Sequence, residues 1–74
     1  MLKVVSEIKQ AQEFLVGQYG DEGYKTLING VKGKVRRILE QAPDLTELQV
    51  LAVLAKDKSL PADCRLVALA AMGE

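Results

Sequence analysis

Five cations, Lys25, Lys32, Lys34, Arg36 and Arg37, fall within residues 25–39, a stretch with no acid. Cations at that density can neutralise an acidic protein surface or a phosphate backbone. Residues 1–24 carry −2 and residues 40–74 carry −3, so the formal net charge is zero. That balance removes whole-molecule attraction to nucleic acid or to a membrane. The chain has no histidine, the side chain most used for proton transfer near neutral pH and the commonest metal ligand. Cys64 is the only cysteine. Without a histidine it lacks a base for nucleophilic catalysis, and alone it makes neither a zinc site nor an internal disulfide. It is expected as a small hydrophobe in the core of the last helix. Asp21 and Glu22 are the only adjacent acids and suit the start of a helix better than a metal site. No catalytic residue, metal or cofactor is therefore expected, and the chain is not read as an enzyme.

The segment Gly30-Val31-Lys32-Gly33 resembles the GxxG loop of the RNA-binding KH domain. That resemblance implies a loop whose backbone clamps nucleotides while basic side chains meet phosphates. The chain departs from the pattern at Arg36, which stands where an apolar residue is usual, and no strands are expected around it. Leu27 to Val35 is also similar in composition to the helix-hairpin-helix module, which grips DNA backbone through a glycine-containing turn. That module spaces its glycines by one residue, and here two intervene. Leu45-Thr46-Glu47-Leu48-Gln49-Val50-Leu51 looks like the opening of a helix-turn-helix. Its second helix, 61–72, would offer Arg65 alone to base edges, too little for sequence readout.

The elements that must carry these residues are helices. Tyr24, Ile28, Val31, Val35, Ile38 and Ala42 recur at alternating spacings of four and three, the stripe of a helix facing a partner. The stripe runs through Gly30 and Gly33 without losing phase, which predicts one helix over about 22–41 in preference to a turn at 29–33. Before it, Val4, Ile8, Ala11 and Leu15, broadened by Val5, Phe14 and Tyr19, predict a helix over 2–18. Lys3, Glu7, Lys9, Gln10 and Glu13 take its wet side. Gly17, Gly20 and Gly23 interrupt it, with Asp21 placed to cap the second helix. Pro43 stops that helix. Asp44 with Glu47, or Thr46 with Gln49, forms a capping box for a third helix over about 45–57. The third helix is apolar nearly all round and so is expected to be enclosed by others. Pro61 opens a fourth helix, slimmed by Ala62, Ala68, Ala70 and Ala71, and Gly73 ends it.

The expectation is thus an all-α single domain over 1–74: a small bundle of four short helices with antiparallel neighbours, the last two forming a hairpin. Apolar residues make up 49% of the chain, and a chain this short has little core of its own. Completion of burial by a second copy, a homodimer, is a further expectation. No run approaches a membrane span, and the first residues lack the unbroken apolar stretch of an export signal, so the cytoplasm is expected. The functional expectation is a small protein–protein interaction module: an adaptor, inhibitor or regulatory subunit. Its partner-binding residues are Lys25, Lys32, Lys34, Arg36 and Arg37, with Tyr19 and Tyr24 as anchors beside the glycine cluster. The partner would carry an acidic surface. The alternative is a nucleic-acid backbone binder using the same basic segment 25–37, with affinity falling steeply in salt.

Overall fold

The computed structural model describes residues 2–74, with side chains from Ser6 onward. It is all-helical: α1 spans Leu2–Gln41, α2 Glu47–Lys56 and α3 Ala62–Ala71. A straight 40-residue helix would measure about 60 Å, but the molecule is only 34 Å in its longest dimension. The discrepancy is resolved at Gly20, whose φ of 76° and ψ of 174° leave helical geometry. Side-chain-bearing residues avoid that conformation, and glycine adopts it freely. The four helices expected from sequence are therefore three elements. The glycine cluster makes no connecting loop; a single residue breaks α1 into a first arm, 2–19, and a second arm, 21–41. Gly30 and Gly33 lie inside the second arm with no interruption, so the loop implied by the KH and helix-hairpin-helix resemblances does not form.

The core tracks the stripes. Ala11 and Leu15 come from the first arm, Tyr24, Ile28 and Val35 from the second, Val50 and Leu51 from α2, and Val67, Ala68, Ala70 and Ala71 from α3. Val31 and Ile38 pack against this cluster and stay partly buried. Val4 and Val5, expected on the first stripe, and Lys3, expected on its wet side, lie outside the described side chains. The small residues of α3 let helices approach closely, and α3 packs against both α1 and α2. Burying a Leu, Val or Ile of this core stabilises the fold by about 1.5–3 kcal/mol each.

The connections are built from local chemistry. Leu45 N–H donates to Ala42 O at 3.1 Å, closing a turn in which Pro43 holds the second position. The Thr46 hydroxyl accepts from Gln49 N–H, and Gln49 Oε1 accepts from Thr46 N–H. The box two residues downstream of Asp44 is therefore the one that caps α2. Leu60 N–H donates to Asp57 O at 3.1 Å, turning the chain toward α3. Pro61 is the residue before α3 and gives no side-chain cap.

Two expectations about burial are corrected. α2 is not enclosed: Leu48 is 55% exposed and Val53 67%. With only α1 and α3 as neighbours, a ten-residue helix buries one side, at Val50 and Leu51, and shows the other to solvent. Cys64 is exposed as well. It shares a face of α3 with Val67 and Ala68, one turn later, but stands at a groove between α1 and α3 that is open to solvent.

Candidate partner-binding surface

At about 100° per residue, Lys25, Lys32 and Arg36 fall on one line along the second arm. Lys34 and Arg37 point about 120–180° away from that line. The five predicted cations thus form a ridge of three and a separate pair. Lys25, Lys34, Arg36 and Arg37 are exposed and Lys32 is half-buried. The ridge flanks the buried face of the same helix, about 60–100° around from Tyr24, Ile28 and Val35, which is why Lys32 is half-buried.

The two tyrosines separate. Tyr19 is 51% exposed, whereas Tyr24 is 9% exposed and belongs to the core. The Tyr24 hydroxyl donates to Glu74 Oε2 at 2.5 Å. Gln12 Nε2 donates to Ala70 O at 3.1 Å and to the same Glu74 oxygen at 3.2 Å. Both arms of α1 are tied in this way to the end of α3 and the residues just beyond it. The fit is close: a Cβ on Gly73 would lie 2.5 Å from Gln12 Nε2 and 2.6 Å from Ile8 Cγ2. Burial first, and then the hydrogen bond and negative charge of Glu74, push the Tyr24 phenol well above the ordinary tyrosine range. Tyr24 consequently works as a structural donor and is not available as a partner anchor. Nothing in the spacing of the sequence pairs residues so far apart, so sequence reasoning missed this network.

The second feature is a groove of about 260 Å³ between the second arm, α3 and the end of α2. Its walls include Leu27, Gly30, Val31 and Lys34 on one side and Asp63, Cys64 and Val67 on the other, with Leu54 and Leu60 at one end and Leu15 and Tyr19 from the first arm. Gly30 is exposed, and a Cβ on it would meet nothing within 4 Å, so the α1 wall is open where the helix lacks a side chain. The lining carries one cation, Lys34 on α1, and one acid, Asp63 on α3.

Comparison with models of known protein families, with curated proteins and with solved structures finds no match to this chain.

The chemistry of the surface therefore rests on its own residues. Among the described residues, no three potential metal ligands gather. No helix among them is long and apolar enough to cross a membrane. Near α3, Asp57 accepts from the Ser59 hydroxyl at 2.6 Å and from its amide at 2.9 Å. These bonds hold the Asp57 carboxyl below the usual carboxylate range, with a smaller contribution from the charge of Arg65. The Nε of Arg65 is itself enclosed without a hydrogen-bond partner. The spacing of Lys25, Lys32 and Arg36 puts them on one line beside the stripe, about 100° around the helix from it, and separates them from Lys34 and Arg37, which the expectation from sequence groups with them. Sequence reasoning did not locate the groove, because its lining comes from residues of α1, α2, α3 and the turn before α3 that spacing along the chain does not bring together.

Proposed function

We propose that this chain is a small protein–protein interaction module that acts by contact and self-associates, in the manner of an adaptor, inhibitor or regulatory subunit. The observation that carries this reading is the apolar surface left open by the finished fold. A chain of 74 residues keeps a formed apolar groove and leaves Phe14, Tyr19, Leu45, Leu48 and Val53 exposed. Apolar area gathered into a concave site is the common mark of a contact surface. The ridge of Lys25, Lys32 and Arg36 adds a charge pattern suited to an acidic partner. The absence of histidine supports a role other than catalysis. A lone cysteine that forms no internal disulfide suits a reducing, cytoplasmic setting.

Charge reversal on the ridge tests the partner contact. The double variant Lys25→Glu, Arg36→Glu should keep its helical signal and lose capture of acidic protein ligands from the native extract. Undiminished capture by a folded variant would remove the ridge from the reading. The same alignment of three cations favours one alternative, binding along a phosphate backbone. In that case affinity for a nucleic-acid duplex would fall with salt at a slope of about −0.9 per neutralised phosphate. A flat salt response, or no binding at low salt, would refute that alternative.

A further inference from the structure

The groove joins three features. Its α1 wall has no side chain at Gly30, which is exposed, and nothing lies within 4 Å of where one would sit. Glycine inside a helix is unfavourable by about 1 kcal/mol relative to alanine, and no contact within this chain requires it here. Its two walls carry opposite charges, Lys34 on the second arm of α1 and Asp63 on α3, both exposed. Tyr19, half-exposed, stands on its rim.

A surface with a cation on one wall and an acid on the other is complementary to itself. A two-fold axis running along the groove brings each wall face to face with the opposite wall of the second molecule. We infer that a second copy of this chain occupies the groove, with Lys34 of each copy facing Asp63 of the other and the two Tyr19 rings filling the apolar space over Gly30. The inference rests on the self-association reading above and assigns it a surface. It leaves the ridge of Lys25, Lys32 and Arg36 outside the pair, free for a different protein.

Charge swapping with mixed variants tests this directly, with molecular mass read by sedimentation equilibrium in reducing buffer. Lys34→Glu alone places two acids against two acids across the axis, and Asp63→Lys alone places two cations against two cations. Each single variant should dimerise about thirtyfold more weakly than wild type, the scale of two exposed pairs turned from attraction to repulsion. An equimolar mixture of the two variants restores both opposite-charge pairs in a heterodimer, so the mixture should regain near wild-type dimer mass. Gly30→Leu, whose Cβ would meet nothing within 4 Å and whose side chain would occupy part of the groove, should stay folded and monomeric. A mixture that stays monomeric, or single variants that dimerise like wild type, would overturn the assignment of the groove while leaving self-association standing. A wild-type chain that stays monomeric at millimolar concentration would overturn self-association itself.

Discussion

Replacing single glycines of α1 by alanine should move stability in opposite directions depending on position. Gly17 has helical backbone geometry, and a Cβ there would meet nothing within 4 Å. Gly17→Ala should therefore gain close to the full helix-propensity difference, about 1 kcal/mol. Gly20 is three residues away but has a φ of 76° and a ψ of 174°. Forcing a side chain into that region costs about 1–3 kcal/mol. For a chain of 74 residues the unfolding entropy is about 155 cal/mol/K, so 1 kcal/mol corresponds to about 6 °C in Tm. Gly17→Ala should then melt about 6 °C above wild type and Gly20→Ala about 6–18 °C below it. The assay is far-ultraviolet circular dichroism on heating, with the radius measured in parallel by X-ray scattering. Gly20→Ala can also relieve its strain by straightening α1, which would lengthen the particle well beyond 34 Å. A Gly20→Ala variant as stable and as small as wild type would refute the claim that the chain doubles back at this residue.

Other perturbations probe the rest of the frame. Tyr24→Phe removes the hydrogen bond to Glu74 and should destabilise the fold by about 1–2 kcal/mol by urea denaturation, a loss that an unchanged midpoint would contradict. The raised Tyr24 pKa fixes the sign of an alkaline effect. Its contribution is fully present below the ordinary tyrosine value of 10.0 and is lost as pH rises through the higher folded-state value. Stability should thus fall by about 1.4 kcal/mol per pH unit above 10, and a Tyr19→Phe background assigns the ultraviolet titration to Tyr24. A stability curve flat across that range would refute the buried phenol. Thr46→Ala removes the α2 cap and should cost about 1 kcal/mol, with Gln49→Ala adding little to it because the two side chains form one box. The depressed Asp57 pKa implies stability present above the ordinary value of 3.8 and lost on acidification below it. Asp57→Asn should flatten that acid limb.

Much of the helical frame was legible because it depends on periodicity and local hydrogen bonds. The stripe through Ile28 and Val35 kept phase across Gly30 and Gly33, and the uninterrupted helix through both residues is the consequence. The Thr46–Gln49 box was also readable as a local pattern. Position within the glycine cluster was not legible. Gly17, Gly20 and Gly23 are equivalent in sequence, yet Gly20 takes the break, whereas Gly23 is constrained by the Tyr19 Cβ that would lie 2.8 Å from a side chain there. Burial on α2 and at Cys64 depends on how many neighbours each helix finds, which composition does not specify. An apolar helix implies a need for cover without saying that the chain supplies it. The tie from Tyr24 to Glu74 and the presence of Lys34 and Asp63 on one groove are products of tertiary placement, invisible to spacing along the chain. Of the predicted site, the line Lys25, Lys32, Arg36 lies on one face, Lys34 moves to the groove rim, and Tyr24 moves into the core.

The most direct measurement of whether the groove is a covered contact surface uses its own thiol. Cys64 is the only cysteine, is exposed, and lines the groove. Its alkylation rate in reducing buffer, monitored as the chain concentration rises, should fall in step with the growth of dimer mass. A rate that stays constant while the mass doubles would show that the copies meet elsewhere and would contradict the account.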